Sequence, residues 1–516
     1  MDHDVIIVGG GPVGLMVAGE LRLGGVSPLV LEQLSELDRS VKSGTVCSQA
    51  VAAFDRRGLR DRLEAAQRDM LAYLAKRFGR PASDVPMSST AVGAPAHFSW
   101  LPIRPPISQP HDPIGSPAPS LMVPQTTVER VLGGWAAQLG VEVRRGHTVT
   151  ELHQGEDGMT VRVHGPEHEY EIRAGYLLGC DGSRSTVREQ AGFDFPGTSA
   201  SITGYHGDVE IADPEKLTAG WQRTPRGVFA YGGPPDKVLS IEFDGPPEQR
   251  AGEVTAQEVQ DSLQRVTGTD VTVSRVLSGT RFTDRTRQVP TYRRGRVLLA
   301  GDATHVQPPL GGSGLDLGLI DAVNLGWKLA AHIRGWAPAG LLDTYTAERH
   351  PVTAKVLANT RAQVALMRPD EQTTALRDLF AELMNLDQVN AHLIARLAGR
   401  EQPDDVDEGH PLVGRDCPDL KLTGVEGATR LAELARGGRG LLLDLADQPQ
   451  LRDAAAGMPD RVDVVSAGCP DGDDLAALLV RPDGRVAWAA HASEQPDLTT
   501  LREALTTWFG DEGSRQ

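Results

Sequence analysis

At 516 residues the chain exceeds what one hydrophobic core ordinarily serves, so more than one domain is expected. Hydrophobic residues make up 40% and charged residues 23%, a globular composition, while 52 basic against 69 acidic side chains leave a formal net charge of −17. That balance argues against a general nucleic-acid binder, which needs a basic face for phosphates. Four cysteines without a CxxC pair argue against a disulfide framework or a zinc site. A reducing cytoplasm is the expected setting: no basic leader precedes the first apolar run, and no run is long enough to span a bilayer.

Asp4–Val8 (DVIIV) is a short β-branched run that stops at glycines, the pattern of a buried parallel strand. Val13–Leu23 follows with helix formers, and Pro28–Leu31 resumes an apolar strand. Together they make a βαβ unit of about 30 residues. Ten prolines between residues 81 and 120 exclude a helix or central strand there and predict an excursion over the surface or around a ligand cavity. A helix is predicted at about Thr127–Leu139, with strands at Val141–Arg144 and Met159–His164. From about Phe193 to Gln288 short strands separated by turns predict an inserted antiparallel sheet, after which Arg296–Ala300 returns the chain to its first domain. A helix-rich stretch runs from Asp316 to about Arg400, and the acidic Glu401–Glu408 reads as a linker. The tail has apolar strands at Gly440–Leu445 and Val462–Val465, a hairpin around Pro482-Asp483-Gly484, and a closing helix at Leu498–Trp508.

Three motifs carry chemistry. Gly9-Gly10-Gly11-Pro12-Val13-Gly14 is a GxGxxG fingerprint between strand and helix, where glycine permits the tight turn and the approach of backbone to a pyrophosphate. The helix N-terminus offers free N–H groups to phosphates, and Glu32 at the end of the second strand suits ribose hydroxyls. This unit alone fits NAD or FAD. Gly301-Asp302, after the strand RVLLA, places an aspartate for a ribityl hydroxyl, and the Gly311-Gly312-Ser313-Gly314 run lets backbone approach a flat ligand before a helix begins at about Leu315. A helix N-terminus there would face the negative charge of a reduced flavin, which favours FAD over nicotinamide. The third motif, Cys180-Asp181-Gly182-Ser183-Arg184-Ser185, also fits an ordinary strand-to-helix turn with Asp or Ser capping.

In this order and spacing the motifs resemble those of the class A flavoprotein monooxygenases, the p-hydroxybenzoate and phenol hydroxylase family, over residues 1 to about 400. The phrases AGELRLGGV and GWKLAAHIRGWAPAGLLDTYTAERHPV, with the appended tail, are most similar to the actinomycete aromatic polyketide hydroxylases and the rifampicin monooxygenase group. The resemblance implies an α/β fold: a three-layer Rossmann-like FAD-binding domain (1–80, 121–192 and 289–400), an inserted substrate domain (81–120 and 193–288) and a thioredoxin-like domain (410–516) lacking CxxC. It implies that Gly9, Gly11, Pro12, Val13 and Gly14 hold the FAD pyrophosphate, Glu32 and Gln33 the adenosine ribose, and Val149 the adenine. Gln125 and Arg130 would lie near the ribityl chain and phosphates, Asp302 at the ribityl and pyrophosphate region, and Pro309, Gly312, Gly314, Leu315 and Asp316 beside the isoalloxazine. Asp181 would be linked to both FAD and NAD(P)H.

Some positions depart from the family pattern. Arg39 or Lys42 would have to serve where relatives carry arginine, and lysine lacks the bidentate fork. Asp316 stands where asparagine is usual and is expected to point away from a reduced flavin or to cap the helix; Ser313 and Ile320 stand where glutamine is common.

The implied reaction is reduction of FAD by NAD(P)H, formation of a flavin C4a-(hydro)peroxide with O2, and transfer of one oxygen atom to a bulky aromatic or quinone substrate, a polyketide of secondary metabolism. Baeyer–Villiger or epoxidising oxygenation of a polycyclic ketone or quinone is an alternative. So is a flavin reductase or oxidase without oxygen insertion, and a non-enzymatic FAD carrier stands as a different class. Phe98, Trp100, Tyr205, His206, Phe229 and Tyr231 are the substrate-facing candidates, each equally suited to core packing. No general base is singled out; His305 reads as a packed or backbone-fixing histidine. No metal and no membrane or nucleic-acid partner is expected, and the tail reads as structural or dimer-supporting.

Overall fold

The computed structural model describes residues 2–38, 43–78, 97–103, 120–232, 236–245, 252–310, 314–397, 410–470, 472, 474–493 and 495–511. Arg39, Lys42, Gly311, Gly312, Ser313, the linker at 401–408 and most of the proline-rich excursion lie outside the described residues.

Strand β1 (His3–Val8) leads through the glycine turn into helix α1 (Pro12–Leu23), with proline at its start, and strand β2 (Pro28–Glu32). Helices α2 (Ser48–Asp55) and α3 (Arg60–Phe78), the small hairpin β3 (His97–Phe98) and β4 (Leu101–Pro102), and helix α4 (Gln125–Gln138) follow. Strands β5 (Glu142–Arg145), β6 (Thr148–Gln154), β7 (Met159–His164) and β8 (Glu169–Gly179) precede the short helix α5 (Thr186–Gln190). Then come β9 (Thr203–Ile211), β10 (Gly220–Thr224), β11 (Gly227–Tyr231), β12 (Asp236–Glu242), helix α6 (Ala256–Thr267) and β13 (Val273–Phe282). Short strands β14 (Arg287–Gln288), β15 (Arg293–Arg294), β16 (Val297–Leu299) and β17 (His305–Val306) lead to helices α7 (Gly314–Ile333), α8 (Thr344–Met367), α9 (Glu371–Leu383) and α10 (Asp387–Leu397).

In the main sheet β16, β8, β1, β2 and β5 lie side by side and run parallel, with β15 antiparallel at one edge and the β6–β7 pair joined through β8. The strands bury nearly continuous aliphatic runs, Val5–Val8 and Leu29–Leu31 among them, as a sheet covered on both faces requires. Helix α1 packs against both α4 and α7. The second sheet is five-stranded and antiparallel, in the order β10-β11-β12-β9-β13, with α6 packed on one face. A capping box between Thr255 and Glu258 fixes the start of α6.

The tail comprises α11 (Leu431–Leu434), β18 (Gly440–Asp444), α12 (Pro449–Ala455), β19 (Val462–Ser466), β20 (Leu475–Val480), β21 (Val486–His491) and α13 (Leu498–Phe509). Its order β19-β18-β20-β21, with only β18 and β19 parallel, is that of a thioredoxin-like sheet. Buried ions join it to the main body. Arg57, bonded to Glu20 at 2.6 and 2.7 Å, also donates to the carbonyls of Ala435 and Pro482. Arg481 grips Glu348 of α8 at 2.7 and 2.8 Å, and Glu348 in turn holds Lys328 of α7 at 2.9 Å. Burial lowers the Lys328 ammonium to about 8.

Candidate active site

The three motifs converge because of strand register. Val8 pairs with Leu31 on one side and Gly179 on the other, and Gly179 pairs with Leu299. The glycine turn, the Cys180-Asp181 turn and the Gly301-Asp302 turn therefore leave the carboxyl ends of parallel strands from one common row, with Glu32 one residue beyond it. That edge is where open α/β sheets bind ligands.

The glycines divide by what surrounds them. A side chain at Gly9, whose φ is +106°, would meet the carbonyl of Cys180 at 2.3 Å, and one at Gly14 would meet the carbonyl of Gly9 at 2.0 Å. At Gly11 a methyl group would meet nothing within 4 Å, so the protein's own packing leaves space beside that residue. Helix α1 begins there with no side-chain cap and no acid in its first turn, which leaves its N–H groups for an anion. Val13 packs against Gly301 and Gly318 and ties the first turn to the third. Glu32 accepts from the N–H of Gly10 at 2.6 Å and of Leu34 at 2.8 Å, which fixes its carboxylate at the end of β2, whereas Gln33 is exposed. The N–H of His147 reaches the carbonyl of Glu32 at 2.9 Å, bringing the buried Val149 of β6 close by. Gln125 opens α4 and its N–H donates to Ser43 at 2.9 Å, while Arg130 is exposed. This cradle, with an acid at the strand end and open space at Gly11, fits the adenosine diphosphate half of FAD.

Asp181 accepts from the Ser185 hydroxyl and from the N–H of Val187 at 3.1 Å, so both of its oxygens serve the start of α5. Burial raises its pKa against these bonds. Arg188 donates to the carbonyls of Ser183 at 3.0 Å and Ala303 at 3.3 Å, clamping the second turn to the third. Asp302 and Pro309 are exposed, while Gly314 and Leu315 are half-buried at the start of α7. His305 is buried, 2.8 Å from Asp321, whose other oxygen accepts from Arg349 at 2.7 Å. Burial would raise the Asp321 pKa, but Arg349 and His305 overcome this and hold it below the ordinary value.

Asp316 caps neither its own helix nor solvent. It accepts from the N–H of Cys47, at the start of α2, at 2.9 Å, and its other oxygen has no hydrogen-bond partner among the described residues. Burial raises its pKa to about 6, and burial together with Asp316 raises that of the Cys47 thiol.

The second sheet corrects most of the substrate candidates. Successive residues of a strand face opposite ways. Tyr205, Phe229 and Tyr231 fall on the outer face, in the cluster with Val259, Leu263 and Val266 of α6. The inner face carries Val228, Ala230, Leu239 and Ile241, which cluster with Trp100, with Leu310 of the segment leading into α7, and with Val364 and Met367 of α8. His206, paired with Leu239, shares that inner face. Phe98 is also corrected: its ring lies 5.4 Å from Phe380 in a separate core with Leu366, Met384 and Leu393. Of the six candidates, Trp100 and His206 border the inner face. Sequence reasoning missed the inner-face row and the Asp321–Arg349 pair. Asp321 and Lys328, isolated charges inside the apolar run LGLIDAVNLGWKLAA, were the available signal for buried, partnered groups.

Residues 2–360 match the family model of the FAD binding domain, and residues 410–511 that of the aromatic-ring hydroxylase C-terminal region. A 12-dehydrotetracycline 5-monooxygenase/anhydrotetracycline 6-monooxygenase from Streptomyces rimosus is 42% identical, over 99% of each chain. A rifampicin monooxygenase from Streptomyces venezuelae is 41% identical over 98% of each, and a dialkyldecalin synthase from Streptomyces rugosporus 37% over 99% of each. Among solved structures, OxyS anhydrotetracycline hydroxylase from Streptomyces rimosus superposes with a TM-score of 0.86 at 40% identity, covering 99% of this chain and 100% of that one. No helix among the described residues is long and apolar enough to cross a membrane.

Proposed function

The chain belongs to the FAD-dependent aromatic-ring hydroxylases, and on that premise we propose that it consumes NAD(P)H and inserts one oxygen atom from O2 into a bulky aromatic or quinone substrate of polyketide type. The observation that carries the reading is the common row from which the three cofactor turns leave the parallel sheet, faced by an apolar inner sheet surface. FAD, when bound, accepts a hydride from the nicotinamide and activates dioxygen. The residues proposed to hold it are Gly9, Gly11, Pro12, Val13, Gly14, Glu32, Gln125, Val149, Asp302, Gly314 and Leu315. Val228, Ala230, Leu239 and Ile241 would orient the substrate and exclude water from the reacting faces. The division into an FAD-binding domain, an inserted substrate domain and a thioredoxin-like tail is part of the same proposal.

The test is to purify the protein, record its flavin spectrum and follow NAD(P)H oxidation against a panel of polycyclic phenols and quinones under labelled dioxygen. Substrate-stimulated oxidation with one labelled oxygen atom in the product is expected. Stimulated oxidation without label would replace the reading with a reductase or oxidase. The similarity to a dialkyldecalin synthase supports a second reading, cyclisation on the same fold, which predicts product formation with no NAD(P)H or O2 consumed.

A further inference from the structure

The inner face of the second sheet carries a feature that cofactor binding does not require. Trp221, on the edge strand β10, is 45% exposed. Trp100 stacks on it with ring centroids 4.5 Å apart and planes 23° from parallel, and the His97 ring tilts toward it at 6.1 Å. Ser99 and Trp100 form the two-residue turn of the β3–β4 hairpin, and both have positive φ, 51° and 61°. Such turns ordinarily take Asn-Gly, and a bulky residue at positive φ is held against its own preference.

The surroundings enforce this turn. The N–H of Ser99 donates to Gln363 Oε1 at 3.3 Å, its hydroxyl to the Gln363 carbonyl at 2.8 Å, and Arg377 donates to the Ser99 carbonyl at 2.8 Å. On the facing strand Arg223 donates to the carbonyl of Met367 at 3.2 Å and to Thr374 Oγ1 at 2.8 Å. Both indoles are thus fixed to α8 and α9, and strain that is so firmly maintained points to a use for the ring it presents.

Position defines that use. Trp221 pairs with Ala230, and Ala230 with Leu239, so the three share one row on the inner face. Two strand spacings, about 10 Å, separate Trp221 from Leu239. Leu239 clusters with Leu310, in the segment leading into α7. A flat polycycle is long enough to lie along this row from Leu239 to Trp221, a span about twice the width of a single aromatic ring.

We propose that Trp100 and Trp221 form a stacking platform at the far end of the substrate site and select flat polycyclic over one-ring aromatic substrates. The inference rests on the hydroxylase reading above. It is tested on the FAD-loaded enzyme by equilibrium binding of a hydroxynaphthacenequinone, the four-ring probe, and of phenol, the one-ring probe. Trp221→Ala and Trp100→Gly should each weaken the four-ring probe 10- to 100-fold, change phenol less than twofold, and leave the flavin spectrum intact. Trp221→Phe should restore most of the affinity. Glycine suits the positive φ at position 100, so Trp100→Gly removes the ring without threatening the hairpin. Equal losses for both probes, no loss for either, or failure of the wild-type enzyme to bind the four-ring probe would overturn the proposal. Selective binding without probe-stimulated NAD(P)H oxidation would instead break the hydroxylase reading and leave the platform standing.

Discussion

Two carboxylates little more than one turn apart on α7 are treated in opposite ways. Asp321 is fully buried behind the third cofactor turn; one oxygen accepts from Arg349, the other from His305 and from the N–H of Gly301 at 3.3 Å. Asp316, at the front of the same helix, receives one backbone N–H and keeps a buried oxygen without a partner among the described residues. Behind the turn both oxygens of Asp321 have donors, Arg349 on one and His305 with the Gly301 N–H on the other; at the front, where α7 begins, one oxygen of Asp316 is left open among the described residues. Because a buried unsatisfied acceptor is costly, these two positions on one helix separate a carboxylate whose partners maintain the scaffold from one whose demand the described residues leave unmet.

Removing the charge of Asp321 tests the rear half of that comparison and carries the largest expected effect. Asp321→Asn would leave the Arg349 guanidinium, 3% exposed, without its counter-ion. A loss of about 3–5 kcal/mol is expected in urea unfolding, together with loss of retained FAD as the Gly301 turn loosens. A loss below about 1 kcal/mol would mean that water or His305 takes over the pairing.

Asp316→Asn tests the front. The unfolded carboxyl ionises near 3.8 and the folded one near 6, so between these values the folded state binds more protons than the unfolded one. The contribution is fully present below about pH 4 and is lost as pH rises through about 6, a change of about 3 kcal/mol. Asparagine does not ionise and escapes the loss. Unfolding of the apoprotein should therefore show Asp316→Asn more stable than the parent at pH 7.5, by up to that amount, with the advantage shrinking toward pH 4. An advantage independent of pH would show that Asp316 is not the titrating group.

The scaffold was legible in the sequence because its signals are local. DVIIV, the glycine turn and PLVLE adjoin in the chain and fold as the expected βαβ unit, and the alternating short runs between 203 and 282 form the expected antiparallel sheet. The second and third turns were also found, since each follows an apolar strand directly. Which aromatics lie on the inner face of the second sheet was not legible. Tyr205 and His206 are neighbours in the chain and lie on opposite faces, and the choice is made by α6, about fifty residues later. Trp221 carried no local signal at all; its partner Trp100 reaches it only through a hairpin whose positive φ angles depend on Gln363 and Arg377.

A smaller effect sharpens the comparison at the first turn. Gly11→Ala adds a methyl group to open space on an extended backbone, so the stability of the apoprotein should change by less than about 0.5 kcal/mol. On the proposal that this space takes the FAD pyrophosphate, the methyl group should weaken FAD binding at least tenfold, about 1.4 kcal/mol. Gly14→Ala collides with the carbonyl of Gly9 at 2.0 Å and should destabilise the apoprotein as well. Titration of both apoproteins with FAD, beside their urea curves, separates a glycine kept for the ligand from one kept for the fold.

The smallest expected effect concerns Asp181, whose motif suits either a helix cap or a cofactor contact. Ser185 is the N-cap of α5: its hydroxyl accepts from the N–H of Arg188 at 2.9 Å and donates to Asp181. Ser185→Ala removes that cap and frees one oxygen of Asp181 while the bond from Val187 remains. If Asp181 acts only through the turn, stability falls by about 1 kcal/mol and the affinities for FAD and NAD(P)H stay as they were. If its carboxylate also meets a nucleotide, the freed oxygen must change at least one of those affinities, because a carboxylate released from a hydroxyl donor is a stronger acceptor for any other. The expected outcome is the stability loss with unchanged FAD affinity, measured by unfolding and by flavin titration on the same preparation. A shift in the KM for NAD(P)H alone would place Asp181 at the nicotinamide rather than at the flavin.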